Sequence, residues 1–293
     1  MEFVTDIFAL PPLARAFWLA LIAAPFCALL GCFITLRRLA FFSHAISHSA
    51  LTGLALGFTL HVAESAGSPA MRLVLALFCL AVAAGMVALF EFTKLPTDTV
   101  MAFSFTGSVA LGVVLISRLD DYRILEGALF GDILAARWAD CLEVALLGLL
   151  VVGFLALFRR PLALLIVDES LARLEGVRIR RLNYLFVLLI GLVVAVLMRQ
   201  FGALLLNGFL IIPAAGARAL AGSLRGMLVI SVALALTAVA LGVGASYHAD
   251  LPTGPSLVLA QVALLTLCLA IAAVRSQRPG GGGRPRPLPA ATE

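Results

Sequence analysis

Residues 13–36 read LARAFWLALIAAPFCALLGCFITL, and Arg15, near the start, is the only charged side chain in this stretch. About 20 mostly apolar residues are enough for an α-helix to cross the hydrocarbon core of a bilayer. Backbone polar groups in lipid need partners within their own segment, so a helix is the structure expected here. The stretch therefore predicts a transmembrane α-helix.

The rest of the chain repeats this pattern. Of its 293 residues, 62% are hydrophobic and 13% are charged, whereas a soluble domain is about half apolar and a quarter charged. We expect an all-α polytopic integral membrane protein with about eight to nine spans, at residues 13–36, 44–62, 71–92, 99–116, 140–158, 183–198, 203–219, 227–245 and 255–274. Residues 199–202 join the sixth and seventh spans, either as a tight external turn or within one interrupted helix.

The spans form one transmembrane domain over residues 1–274. Residues 275–293, RSQRPGGGGRPRPLPAATE, are rich in Gly, Pro and Arg, a composition that predicts a disordered basic tail able to contact anionic membrane lipid. Residues 122–136 are too short and too polar to cross a bilayer alone. They predict a surface or re-entrant helix.

The basic residues indicate an orientation. If the N-terminus lies outside, only six of the 21 basic residues fall on or near the outer side, namely Arg15, Arg72, Arg118, Arg123, Arg137 and Arg199. The other fifteen are then cytoplasmic, as the positive-inside rule requires. The prediction is an outer N-terminus and a cytoplasmic C-terminus. Because the arginines lie in loops between spans, nucleic acid is not an expected partner.

Residues 41–53, FFSHAISHSALTG, place His44 and His48 four residues apart in the second span. On a helix both face one side, and Ser47 can add a hydroxyl to that surface. Neutral imidazoles suit zinc, and manganese or iron less tightly. The pair is interpreted either as a transient metal site on a pathway or as a structural pair hydrogen-bonded to neighbouring helices. A zincin-type peptidase is not expected, because that motif needs Glu where Ala45 stands.

Two further stretches carry polar side chains. Residues 167–181, VDESLARLEGVRIRR, predict a short cytosolic helix with Asp168 or Ser170 as its cap and Gly176 as its stop. It is either a partner surface or a solvated connector. His248 and Asp250 flank the turn before Pro252 and could bind metal at an entrance, although a solvated loop explains them about as well.

Nucleotide hydrolysis through a phosphate-binding loop is excluded for this chain. The sequence pattern of that loop needs Gly-Lys followed by Ser or Thr, and the single lysine, Lys94, follows Thr93. The chain is therefore not expected to be an enzyme, and any ATP hydrolysis belongs to another polypeptide. The five cysteines form no CxxC pair, so neither a disulfide framework nor a thiolate metal centre is indicated, and no cofactor is expected.

Several of these stretches also resemble one known family. Residues 37–58, RRLAFFSHAISHSALTGLALGF, resemble the second-span signature of metal-ion ABC transporter permeases, whose usual form is close to RR-x-A-x-x-G-D-A-[IL]-S-H-[SA]-x-L-P-G-[VL]-A. Further similar stretches are LFGDIL at 129–134, VDESLARLEGV at 167–177, GALLLNGFLIIPAAGAR at 202–218 and SYHADLPTGP at 246–255. They follow the family's order.

This resemblance implies a homodimeric permease of the bacterial inner membrane, similar in fold to the vitamin B12 and siderophore-type ABC importer permeases. It would import a divalent metal, most directly zinc, with manganese or iron as alternatives, by alternating access. Its partners would be a cytosolic ATP-binding subunit dimer and a periplasmic or extracellular metal-binding protein. The resemblance also identifies residues 168–177 as the ATPase-coupling helix, with coupling residues Asp168, Glu169, Leu174, Glu175, Gly176 and Val177.

Three positions depart from the family pattern: Ser43 replaces Gly, His44 replaces Asp, and Thr52 replaces Pro. An imidazole in place of a carboxylate should favour zinc over manganese. The equal alternative is that position 44 no longer binds metal, which leaves His48 as the better candidate. Thr52 should make the second helix straighter. Two alternative functions stay open, a permease for a metal chelate and an ATPase-independent secondary metal transporter.

Overall fold

The computed structural model describes residues 11–61, 68–93, 95–118, 127 and 129–277, and within them the chain is a bundle of helices joined by short turns. The helices are α1 (Pro11–Leu36), α2 (Ala40–Thr59), α3 (Pro69–Thr93), α4 (Thr97–Ser117), α5 (Trp138–Leu157), α6 (Arg159–Val167), α7 (Glu169–Leu174), α8 (Ile179–Leu220), α9 (Leu224–Ala249) and α10 (Thr253–Gln277). Residues 122–126 and 128 of the predicted helix at 122–136 lie outside the described residues, and residues 131–136 form a turn and irregular backbone instead of a helix. Residues 278–293 of the predicted tail also lie outside the described residues, although α10 continues to Gln277.

Seven of these helices are long and apolar enough to span a membrane: α1, α3, α4, α5, α8, α9 and α10. The eighth long helix, α2, is more polar and packs against α3, α4 and α8. Its buried serines bond to their own helix, since the hydroxyls of Ser47 and Ser49 donate to backbone carbonyls four residues earlier, each at 2.8 Å. Polar side chains satisfied in this way can be buried at little cost.

Helix α8 is two passes joined by a reversal. It has 42 residues, with non-helical backbone at Gly202 (φ 65°, ψ 170°). A straight helix of that length would hold its ends about 60 Å apart, yet both ends lie beside the end of α1. Near the start, Asn183 accepts a hydrogen bond from Arg37, and near the finish, Ala217 packs with Cys32. Residues 199–202 therefore form a tight turn between two antiparallel passes, which is one of the two alternatives that the sequence left open.

Two glycines allow this turn. Gly202 and Gly131 both have positive φ, 65° and 68°, and their backbones touch. A Cβ on Gly131 would lie 2.5 Å from the Gly202 nitrogen, and a Cβ on Gly202 would lie 2.6 Å from the carbonyl carbon of Phe130. Side chains are excluded both by the left-handed backbone and by the space.

The bundle has two ends, which we name by an arginine at each. The Arg37 end contains residues 36–39, α6, α7, both ends of α8 and the start of α9. The Arg199 end contains the Gly202 turn, residues 129–140, the start of α3 and the turn from α9 to α10. Helix α2 starts at the Arg37 end and finishes at the Arg199 end.

An ion-pair cluster holds the Arg199 end together. Asp140, at the start of α5, is fully buried and pairs with Arg199 of α8 and with Arg72 of α3, the latter at 3.2 Å. The Asp140 carboxylate also accepts from the backbone N–H of Arg137 at 2.8 Å. Arg72 makes a second pair with Glu143 at 2.7 Å. The cluster ties three helices together, and spacing along the sequence does not reveal it.

The Gly202 turn predicts a large effect of a single methyl group. Gly202→Ala should destabilise the protein by about 2 kcal/mol or more, because a left-handed backbone is strained for alanine and the methyl group meets the backbone of residues 129–131. Thermal unfolding in detergent measures this. Gly153→Ala is the control, since a Cβ there has no neighbour within 4 Å, and its midpoint should not fall. Equal midpoints for the two variants would contradict the predicted steric effect.

Asp140→Asn should also lower the thermal midpoint, by an amount equivalent to about 3 kcal/mol, because two arginines lose the buried carboxylate between them. Glu143→Gln is the matched control. It removes one pair at a side chain that is 33% exposed and should cost about 1 kcal/mol or less. If the two variants unfold at the same temperature, Asp140 is not the centre of the cluster.

Candidate functional site

His44 and His48 lie one turn apart on α2 and face the same side, as the spacing predicts. Their ring centroids are 4.5 Å apart, with 59° between the ring planes. Both side chains are half-buried, whereas the residues on either side of each are buried. The helix therefore presents two adjacent imidazoles on its most accessible strip.

Phe105 of α4 forms one wall of this pair. Its ring stacks on His44 with centroids 5.6 Å apart and meets His48 edge-on at 5.3 Å. A phenyl ring restricts the rotation of the imidazoles but offers their nitrogens no hydrogen-bonding atom. Sequence spacing does not identify this contact, because Phe105 lies on another helix.

Neither imidazole has a hydrogen bond to another side chain or to the backbone within the described part of the chain. If the two histidines were a structural pair, hydrogen bonds from their imidazoles to neighbouring helices would be expected. Nor do the described residues contain a group of three or more His, Cys, Asp or Glu side chains able to hold a metal ion. One chain thus contributes two imidazoles to any metal site at this position.

Ser47 differs from the sequence expectation. Its hydroxyl is fully buried and faces α8, where it lies 3.3 Å from Oδ1 of Asn207. Consecutive helical residues point about 100° apart, so Ser47 does not share the surface of its neighbour His48. It ties α2 to the second pass of α8 instead.

Thr52, which stands where the family pattern has proline, also makes an inter-helix contact. Its hydroxyl donates to the backbone carbonyl of Ser108 on α4, and the Thr52 hydroxyl oxygen would lie 2.8 Å from a Cβ on Gly112. Helix α2 runs without interruption through this position. The threonine therefore fastens the histidine-bearing helix to the helix that carries Phe105.

His248 and Asp250 lie elsewhere. His248 is in the last turn of α9 and its ring contacts Tyr247 edge-on at 5.2 Å, while Asp250 ends the helix with left-handed backbone (φ 52°, ψ 43°). Both belong to the Arg199 end, whereas His44 is in the second turn of α2 at the opposite end. The structure does not bring these residues together with the histidine pair, and their role stays a prediction.

Helix α7 begins and ends where the sequence predicts. Of the two predicted caps the structure uses Asp168, whose side chain accepts from the backbone N–H groups of Ser170 at 2.6 Å and Leu171 at 3.2 Å. The hydrogen bonds from Leu171 and Ser170 lower the pKa of Asp168. At the other end Gly176 has φ 76°, and the N–H of Val177 donates to the Ala172 carbonyl at 3.0 Å. This is a Schellman ending.

The outer side of this segment is apolar and exposed. Leu174 is 85% exposed and Val167 is 76% exposed, while Ala172 is buried against the bundle. Among the predicted coupling residues, Asp168, Glu169, Leu174, Glu175 and Gly176 are exposed and Val177 is half-buried. Glu169 pairs with Arg173 at 2.6 Å. Leu174 and Val167 thus present apolar side chains close to the two capped ends of α7, where a partner protein could contact them.

Comparisons with known proteins agree with this architecture. The ABC 3 transport family matches residues 9–272. The chain is 33% identical over 260 residues to the high-affinity zinc uptake system membrane protein ZnuB of Haemophilus influenzae, which covers 88% of this chain and 95% of that protein. It is 30% identical over 271 residues to the manganese import system permease protein ScaB of Streptococcus gordonii, with 92% of this chain and 95% of that protein covered.

The structure titled PsaBC from Streptococcus pneumoniae in complex with Fab contains a chain with the same fold. It superposes with a TM-score of 0.80 at 28% identity, over 94% of this chain and 97% of that one. The predicted all-helical membrane fold is thereby confirmed. With the family match spanning nearly all the described helices, the chain belongs to the ABC 3 transport family, as a membrane subunit and not as an ATPase.

Proposed function

We propose that this chain is the permease of a bacterial ABC importer that moves a divalent transition metal, most directly zinc, into the cytoplasm. The observation that carries the proposal is the pair of half-buried imidazoles of His44 and His48, 4.5 Å apart on a helix that packs against three other helices. Ionisable groups at such a depth are costly and generally face a pathway. Relatives named for zinc and for manganese transport support this class of cargo.

The orientation follows from charge. Among the described residues, eleven arginines belong to the Arg37 end: Arg37, Arg38, Arg159, Arg160, Arg173, Arg178, Arg180, Arg181, Arg218, Arg225 and Arg275. Five belong to the Arg199 end, and two of those pair with carboxylates. By the positive-inside rule the Arg37 end is cytoplasmic. The N-terminus is then outside and the C-terminus inside.

A second copy of the chain completes the metal site. Zinc in proteins takes four ligands, and each chain offers two imidazoles on an accessible strip. A twofold axis beside α2 would bring four together. Helix α4, next to that strip, leaves Phe103 68% exposed and Leu111 52% exposed, as expected of a face that meets lipid or another subunit. A site shared between two chains can be made and broken as the chains move, which a conduit needs.

The cytosolic partner binds α7. The exposed Leu174 and Val167 flank a helix whose ends are fixed by Asp168 and Gly176, so an ATP-binding subunit can press on it without unfolding it. ATP binding would close the partner dimer and turn the two permease chains against each other. At the opposite end, His248 and Asp250 would receive the metal from an external binding protein.

The site is tested by zinc uptake into proteoliposomes that contain the permease, its ATPase subunit and its binding protein. His48→Ala should lower the initial rate at least tenfold, because one of two imidazoles per chain is lost. His61→Asn is the control, since His61 follows the end of the same helix in the left-handed region that asparagine tolerates, and it should transport as wild type. Undiminished zinc uptake by His48→Ala contradicts the assignment.

In the same assay, His44→Asp should shift the preference from zinc towards manganese, because a carboxylate is a harder ligand than an imidazole. An unchanged preference means that position 44 does not bind the metal. Zinc uptake without the ATPase would indicate a secondary transporter. Uptake of a metal chelate but not of the free ion would indicate a chelate permease.

Docking of the ATPase is tested separately by Leu174→Asp. Leu174 is 85% exposed, so the charge should leave the thermal stability of the permease unchanged and reduce co-purification of the ATP-binding subunit at least fivefold. Arg173→Ala is the control, because it changes the same helix as Leu174 without placing a charge on the apolar side of that helix. Normal co-purification of Leu174→Asp would place the docking surface elsewhere.

A further inference from the structure

A polar cavity of about 230 Å³ lies at the Arg37 end, between the turn that leads into α2 and the first residue of α7. Its walls include Arg37, Glu169 and Asn183, which come from three different segments of the chain. Arg37, which precedes the histidine-bearing helix, and Glu169, the first residue of the proposed docking helix, therefore face one shared cavity.

Arg37 is anchored on one side. Its Nη2 donates to Oδ1 of Asn183 on α8, and its guanidinium carbon lies 4.8 Å from the ring centroid of Phe186, a cation–π distance. Within the described residues its Nη1 is buried and has no hydrogen-bond partner. One arm of the guanidinium is thus held by α8, and the other has an unused donor.

Glu169 of α7 is the carboxylate whose negative charge acts on Arg37. Burial lowers the pKa of Arg37 to about 10, and Glu169 acts in the opposite direction, so the guanidinium stays protonated at neutral pH. Glu169 is 57% exposed and is shared with Arg173 of its own helix. It can move relative to Arg37 whenever α7 is displaced.

The segment after Arg37 is rigid. The N–H of Leu39 donates to the Ile34 carbonyl at 2.9 Å and that of Arg38 donates to the Thr35 carbonyl at 3.2 Å, with Arg38 in the left-handed region at φ 57°. This Schellman turn passes directly into α2, which begins at Ala40 and reaches His44 one turn later. A displacement of Arg37 is therefore carried to the histidine helix and is not absorbed by a loose loop.

We propose that Arg37 is the positioning residue that links α7 to α2, through a charge interaction with Glu169 across this shared cavity that strengthens or weakens as the ATPase partner moves α7. The link rests on the proposed function. It adds a residue-level route from the docking surface, through Arg37, to the helix that carries His44 and His48.

The first experiment compares metal transported per ATP hydrolysed in proteoliposomes. Arg37→Gln should lower this ratio several-fold while ATP hydrolysis and ATPase co-purification persist. Glu169→Gln should lower the ratio likewise in complexes that retain the ATPase, and the double variant should be no worse than either single variant. Arg180→Gln is the matched control, because it breaks another arginine–carboxylate pair at the same end, with Glu91 at 2.8 Å. It should leave the ratio unchanged. A merely structural Arg37 would lower the yield of folded complex but not the ratio.

A second readout does not depend on the cargo. A spin label at Phe41→Cys, on a side chain that is 67% exposed in the first turn of α2, reports the distance between the two copies of α2. Adding ATP to the complex should change that distance, and Arg37→Gln or the exposed Glu169→Gln should abolish the change. The link is overturned if ATP still changes the distance in both variants, or if ATP leaves the distance unchanged in the protein that retains Arg37 and Glu169. If the distance responds as expected but neither zinc nor manganese is transported, the proposed cargo is wrong and the link stands.

Discussion

The contact between the backbones of Gly131 and Gly202 is the constraint on which the rest of this structure depends. Both glycines have positive φ and leave no space for a Cβ, so the chain can reverse at Gly202 without a loop. The reversal converts α8 into two antiparallel passes. The first pass places Asn183 beside Arg37, and the second places Asn207 beside Ser47. Both passes therefore touch the segment that leads into or forms the histidine helix.

Polar groups are buried in different ways at the two ends of the bundle. At the Arg199 end, the buried Asp140 is surrounded by Arg72, Arg199 and the backbone N–H of Arg137. Such a closed cluster stabilises one arrangement of three helices. At the Arg37 end, Arg37 is buried with one arm satisfied and one arm without a partner. A partly satisfied charge that shares a cavity with an exposed carboxylate can change partner, which suits the end where we propose that an ATPase acts.

The histidine helix combines firm attachment with an accessible strip. Ser47 fastens it to α8 and Thr52 fastens it to α4, while His44 and His48 stay half-buried on the side of Phe105. Attachment through side chains other than the imidazoles leaves the imidazole nitrogens uncommitted within the described residues. That division of roles along one helix fits the metal pathway that we propose, because a ligand already hydrogen-bonded to a neighbouring helix would have to give up that bond for each passing ion.

Local and periodic features were determined by the sequence itself. The apolar runs predict the spans because the bilayer thickness sets their length, the spacing of His44 and His48 predicts their common face, and the residue types at Asp168 and Gly176 predict the two ends of α7. Each depends on a few neighbouring residues. Only the tertiary structure decided that Ser47 points to α8 and that Phe105 covers the imidazoles. It also decided that Asp140 pairs with two arginines and that Arg37 shares a cavity with Glu169. These contacts join residues far apart in the chain, and which of them form depends on how whole helices pack, a property that no local pattern contains.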